Sequence, residues 1–178
     1  MIDGLLSFSR TNTAPKVFEE RSLEELVKKA MYGLQEDIFS KRAIINTHCS
    51  HSIKVIPHQF EQLLENVLSN AIKFQKEGTI PEVTVDCTLV SGKDILGVVA
   101  ERNKNYYRIS VKDNGIGFAP EDAEKIFQMF HRLNGKSEYP GTGIGLAICR
   151  RIAQNHQGFI TTESEPGNGA TFNIFIPE

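Results

Sequence analysis

The chain runs to 178 residues, 40% hydrophobic and 24% charged, which fits one globular domain with a short extension and excludes a low-complexity chain. A net charge of −2 gives no global basic field for nucleic acid or an anionic membrane surface. No apolar run approaches the roughly 20 residues of a membrane-spanning helix, so direct membrane contact is not expected.

In chain order, Ile2, Leu5 and Leu6 lie at helical spacing, followed by Phe8, with no N-cap ahead of them. The chain is therefore expected to begin inside a helix, as a fragment whose upstream partner has been cut away. No basic region precedes that patch, so it does not read as a signal peptide. "TNTAPK" (11–16) reads as a linker and "KVFEERS" as a short strand. Ser22 is placed to cap a helix with the stripe Leu23, Leu26, Val27, Ala30, Met31 and Leu34, and Glu25 three residues on completes a capping box. "AIINTH" and "SIKVI" read as strands joined by a turn. Pro57 opens the clearest helix, its face drawn from Phe60, Leu63, Leu64, Val67, Leu68, Ala71 and Ile72, with Gly78 past its end. "EVTVDCTLV", "ILGVVAE" and "YYRISVK" read as three strands. "EDAEKIFQMF" reads as a short helix before a polar loop. A last helix is expected from about Ile144 to Gln154, and "GFITTES" and "ATFNIFIP" close the chain as a hairpin. The expected class is α+β: a two-layer sandwich whose mixed, largely antiparallel sheet is covered on one face by helices.

Cys49, Cys87 and Cys149 are odd in number and widely spaced, which points to reduced thiols filling core space in a cytoplasmic compartment. No C-x-x-C occurs. His48 and His51 are three apart, but in a β-branched segment unsuited to helix, so no zinc site is expected.

Three segments carry possible chemistry. At about 100° per residue, Asn66, Asn70 and Lys73 fall within roughly 60° of one another on the flank of the apolar stripe. They form either a solvated helix border or a site wall. Amide oxygens are hard ligands fit for Mg²⁺, and a lysine balances phosphate as a point charge. Asp113 ends a strand and is followed by Gly115 and Gly117. It is either part of a D-N-G turn or an acceptor-only carboxylate on a pocket floor, suited to an exocyclic amine such as adenine's. Gly141, Gly143 and Gly145 open a helix, where bare backbone N–H groups and the positive helix end make an anion site. The alternative there is a mobile loop with a softened helix start. Arg132 and Lys136 supply cations just before. The glycines do not follow a strand as G-x-G-x-x-G, and no G-x-x-x-x-G-K-[ST] occurs, so neither a dinucleotide fold nor a P-loop fits.

Taken in order, these segments resemble the catalytic ATP-binding domain of sensor histidine kinases, in the GHKL superfamily. "LLENVLSNAIKF" is similar to its N box, "DNGIGF" to its G1 box, "IFQMFHRL" to its F box and "GTGIGLAI" to its G2 box. "ESEPGNGATFNIFIP" is similar to its closing hairpin, and the likeness runs from about residue 17 to the end.

The resemblance implies a Bergerat-type fold over 17–178, with 1–16 as the end of a dimerisation-hairpin helix and its linker. It implies ATP and Mg²⁺ as cofactors. Asn70 would hold the metal, with Asn66 nearby and Lys73 toward the phosphates. Asp113 would recognise the adenine amine. Gly115 and Gly117 would let the backbone approach the base, with Phe118 beside them. Arg132 would reach the γ-phosphate. Lys136, Gly141, Thr142, Gly143, Ile144, Gly145 and Leu146 would make up the phosphate-facing lid and its hinge, and Phe127 and Phe130 would pack that lid on the domain.

In ATPase members a water-activating glutamate stands four residues before the metal asparagine. Here that position is Asn66, and the adjacent Glu65 is rotated about 100° away. The resemblance therefore implies phosphoryl transfer to a histidine on a dimerisation hairpin absent from this sequence, then on to an aspartate of a response-regulator receiver. The intact kinase would be a homodimer and the fragment a monomer. A nucleotide-binding module without transfer, or a GHKL-type ATPase, are the competing readings. Two positions depart from the family's pattern: "HQG" at 156–158 in place of H-G-G, and Asn134 where histidine is common.

Overall fold

The structure, a computed structural model, describes residues 16–95, 100–133 and 141–178. The expected N-terminal helix, most of the expected "ILGVVAE" strand, Asn134 and Lys136 lie outside those residues.

A short strand β1 (Glu19–Ser22) leads into α1 (Leu23–Gly33), and Ser22 Oγ accepts the Glu25 N–H at 3.5 Å, as the capping-box spacing requires. Leu23, Leu26, Val27 and Ala30 bury the inner face of α1. A helix the sequence did not announce follows, α2 (Gln35–Lys41), in which no side chain is fully buried. Strands β2 (Ile44–His48) and β3 (Ser52–Val55) come next.

Both expected strands are present, joined through residues 49–51, but they do not pair with each other. β2 runs parallel to β4 (Glu82–Ser91), while β3 pairs antiparallel with β1 in a separate two-stranded sheet. The crossing is fixed by Cys49, whose buried thiol donates to Val85 O at 3.5 Å, and by His51 O, which accepts Leu23 N at 3.0 Å. Backbone partners far away in sequence thus override local adjacency.

α3 (Pro57–Lys73) is the central helix, with proline in its first turn where a missing N–H costs nothing. Its seven expected apolar residues are all buried, at about 1.5–3 kcal/mol each for the larger side chains. β4 pairs directly with β5 (Asn105–Asp113) from Val83↔Asp113 to Ser91↔Asn105, so no third strand lies between them. Residues 120–127 are two 3₁₀ turns, Pro120–Asp122 and Lys125–Phe127, not the expected helix. Ile126 and Phe127 are buried, and the second turn ends there because Gln128 is extended at φ −77°, ψ 142°. α4 (Gly145–Asn155), β6 (Phe159–Ser164) and β7 (Ala170–Pro177) complete the chain.

The five-stranded sheet has the order β2-β4-β5-β7-β6, antiparallel except for β2–β4, and helices α1, α3 and α4 pack on one face. α3 and α4 are riveted by buried polar groups: Asn155 Nδ2 donates to Gln59 Oε1 at 3.0 Å, and the Ile56 N–H donates to His156 Nε2 at 2.9 Å. His156 Nδ1 lies 2.7 Å from Ile152 O, which fixes the neutral tautomer, and burial holds its pKa below the ordinary histidine value. This rivet sets the spacing of the two helices that wall the cavity described next. Among the described residues no helix is long and apolar enough to cross a membrane.

Candidate functional site

A cavity of about 330 Å³ opens between α3, the end of β5, the turn after Phe127 and the start of α4. Asn66, Asn70 and Lys73 line its α3 wall together with Ser69, which the sequence reading did not single out. Asp113 and Gly117 line one end; Arg132, Gly141, Thr142 and Gly143 line another stretch, and Gly145 and Leu146 bring in α4. The three segments proposed separately from sequence therefore converge on one space.

Each residue of "DNGIGF" has a local task. Asp113 Oδ1 accepts two backbone N–H groups, Gly115 at 2.8 Å and Ala170 at 3.2 Å. Both bonds fall on one oxygen, which leaves Oδ2 as the acceptor for a group in the cavity. Burial pushes the Asp113 pKa above the ordinary aspartate value, against the opposing pull of those two bonds and of the Lys76 charge. Asn114 clamps the neighbouring segment, accepting Glu82 N at 2.9 Å and donating to Ile80 O at 3.0 Å. Gly115 does not line the cavity; it lies under the Phe74 carbonyl, and Ile116 N donates to that same oxygen at 2.9 Å. Ile116 O accepts Gly167 N at 2.6 Å, and Phe118 N donates to Ser164 Oγ at 2.9 Å, so the turn is bolted to the closing hairpin.

Elsewhere in the cavity wall two cations meet at Gly141. Arg132 Nη1 donates to Gly141 O at 2.8 Å, and the Lys73 ammonium sits where a side chain on Gly141 would stand, 2.9 Å from an ideal Cβ. Burial first, then the charges of Arg132 and Lys41, hold the Lys73 pKa below the ordinary lysine value. A cation so placed gains from an anion beside it. The Phe130 N–H donates to Gly143 O at 2.9 Å, a second tie between the two stretches. α4 begins without a side-chain cap, which leaves its first N–H groups to whatever occupies the space before it. Asn66 Nδ2 is buried with no hydrogen-bond acceptor at ordinary distance.

A profile of the histidine kinase-, DNA gyrase B- and HSP90-like ATPases matches residues 56–178. The chain belongs to this family. It is 36% identical over 177 residues to cyanobacterial phytochrome A from Nostoc sp., covering 99% of this chain and 21% of that protein. To the sensor protein KdpD of Escherichia coli it is 31% identical over 180 residues, covering 18% of it. The chain thus spans about a fifth of these relatives. The catalytic domain of the histidine kinase ThkA superposes with a TM-score of 0.69 at 27% identity, over 90% of this chain and 97% of that one. Full-length ShkA in complex with AMPPNP superposes with a TM-score of 0.75 at 24% identity, over 99% of this chain and 35% of that one.

Within this GHKL domain, Ile144 is 1% exposed and belongs to the core rather than the cavity wall. Phe127 is buried edge-on against Phe172 at 6.4 Å, with the Arg150 guanidinium 4.4 Å over its ring. Phe130 is 52% exposed, so it is not the packing residue expected of it. Sequence reasoning missed Phe74, Ile116, Ile126, His131, Leu133, Ala170 and Phe172 in the cavity wall. Most are apolar residues whose alternation reads as core; His131, adjacent to Arg132, was the one with a polar signal. Glu65 packs over Gly33 on α1, its Oε1 2.9 Å from where a Cβ would stand, and does not line the cavity. Burial and the Glu61 charge raise its pKa.

Proposed function

We propose that this chain is the catalytic module of a two-component sensor histidine kinase, which binds Mg·ATP and passes its γ-phosphoryl group to a histidine on a separate dimerisation hairpin. The observation that carries the reading is the polar lining of one cavity: an acceptor-only carboxylate from β5 and two cations that meet at Gly141. That arrangement suits adenine at Asp113 and a triphosphate between Lys73, Arg132 and the start of α4. Gly115 and Gly117 hold the turn that presents Asp113, and Phe118 and Leu146 flank the base. Gly141, Thr142, Gly143 and Gly145 shape the phosphate end. Asn70 is the metal ligand. Its amide oxygen is a hard donor, and the orphaned Asn66 Nδ2 beside it is a buried group in want of an oxygen partner. When bound, Mg²⁺ neutralises phosphate charge.

The neutral acceptor nitrogen attacks the γ-phosphorus as the bond to the ADP oxygen breaks. The module contributes positioning and charge neutralisation. Hydrolysis is disfavoured for want of a base. Asn66 stands at the critical position, Glu65 is turned over Gly33, and among the described cavity residues the one carboxylate is Asp113. In the intact cytoplasmic kinase, residues 1–16 would lead out of the hairpin of a homodimer, and the phosphoryl group would move on to a receiver domain.

Incubation with γ-labelled ATP and an added hairpin domain tests this. Acid-labile label is expected on the hairpin histidine, with phosphate release at background when the acceptor is left out. Steady release without acceptor would favour an ATPase, and binding without label would leave a nucleotide-holding module.

The raised Asp113 pKa sets a pH signature. Only the ionised carboxylate accepts from an amine, so ATP-analogue affinity should fall about tenfold per pH unit below a midpoint higher than an ordinary aspartate's. The stability term has the opposite sign. A carboxyl whose folded pKa is raised penalises the fold when charged, and that penalty is relieved as pH falls through the folded value. Calorimetry and thermal unfolding across the acid range should therefore diverge.

A further inference from the structure

The last turn of α3 carries both Asn70 and Lys73, and a helix C-terminus leaves its final carbonyls without intrahelical donors. Donors from outside the helix meet them here. The Lys41 ammonium donates to Ile72 O at 3.1 Å and reaches Lys73 O at 3.5 Å, while Ile116 N takes the neighbouring Phe74 O at 2.9 Å. Lys41 comes from α2, a helix whose position apolar burial does not explain. None of its seven residues is fully buried, Phe39 is 87% exposed, and only Ile38 and Lys41 are half-buried. The chain nonetheless holds the end of α2 firmly. Arg42 stops it in the left-handed region at φ 55°, Ala43 N donates to Ile38 O at 2.9 Å, and Ile44 N donates to Pro81 O at 2.8 Å as β2 begins. A lysine on the carbonyl end of another helix is favoured by both hydrogen bonding and the helix dipole.

We propose that Lys41 is a positioning residue for the phosphate end of the cavity, holding the turn from which Asn70 and Lys73 face a bound triphosphate. This rests on the nucleotide reading above. Lys41 does not line the cavity and acts through α3. Its charge also bears on Lys73 from behind, so a polyanion in the cavity relieves repulsion between the two. Asp113 is held by separate bonds from Gly115 and Ala170, so the effect belongs to the phosphates and not the base.

The test compares two ligands on the wild-type chain, Lys41→Met and Lys41→Arg. A non-hydrolysable ATP analogue with Mg²⁺ is titrated by calorimetry, and adenosine by ligand-observed nuclear magnetic resonance. Lys41→Met should lose about tenfold in analogue affinity while adenosine affinity stays within about twofold, and Lys41→Arg should recover most of the loss. Equal loss for both ligands, or no loss for the analogue, overturns the proposal. So does a Lys41→Met chain that circular dichroism finds unfolded, because a residue of α2 that only positions α3 leaves the core intact. A wild-type chain that binds neither ligand sinks the nucleotide reading itself, which the wild-type titration alone reveals.

Discussion

Asp113→Asn is expected to lower affinity for an ATP analogue by about 100-fold or more while the domain stays folded. The geometry makes the substitution more damaging than a lost charge. The Gly115 and Ala170 N–H groups both point at Oδ1, so in the variant they select the amide oxygen for that place. The amide nitrogen then takes the Oδ2 position and presents hydrogens to an adenine amine that also offers hydrogens. The side chain cannot flip to cure this without setting its NH₂ against two backbone donors. For the same reason the fold should survive, since the Gly115 bond within the turn and the Ala170 bond that joins it to β7 are both kept. Calorimetry with the analogue, alongside a thermal unfolding midpoint close to wild type, checks both halves. A variant that binds the analogue within a few-fold of wild type would mean that Asp113 does not face the base. The acid limb expected for wild type should also vanish from whatever binding remains.

What the sequence disclosed and what it withheld divide along the range of the interactions. α3 and α4 were legible because their apolar faces repeat at helical spacing and bury as a unit. The capping box at Ser22 and Glu25 marked the start of α1 for an equally local reason. The cavity was legible through polar residues and glycines at positions where a core would want neither. β2 and β3 were legible as strands, but their partners, β4 and β1, were not, because they are fixed by distant backbone pairing that no local pattern records. The turns at 120–127 imitated a helix in composition, but the chain goes extended at Gln128, a backbone choice that composition does not record. α2 escaped notice because "QEDIFSK" has no apolar stripe, and with it went Lys41. Phe172 and Ala170 wall the cavity from β7, where alternation gives the same signal whether the face meets a helix or an opening.

The second large effect is expected at Gly117, which φ of +63° places in the left-handed region. Gly78, at φ +73°, has the same backbone sign and open space around its missing side chain. The pair separates two costs that are usually confounded. Gly78→Ala carries the conformational penalty alone, about 1–2 kcal/mol. Gly117→Ala adds a methyl driven against the Glu165 carbonyl, with Gly169 O a further 2.9 Å neighbour, in a hairpin tip that cannot yield because Gly167 N and Ser164 Oγ hold it to the same turn. The loss should exceed that of Gly78→Ala by about 2 kcal/mol or more in urea unfolding. Because Asp113 depends on Ala170 N in that hairpin, analogue binding should fail with it, whereas Gly78→Ala should bind as wild type does. Equal destabilisation by the two variants would show that the turn and the hairpin yield to each other freely. The bolting of "DNGIGF" to the chain's last two strands would then not be what holds the carboxylate in place.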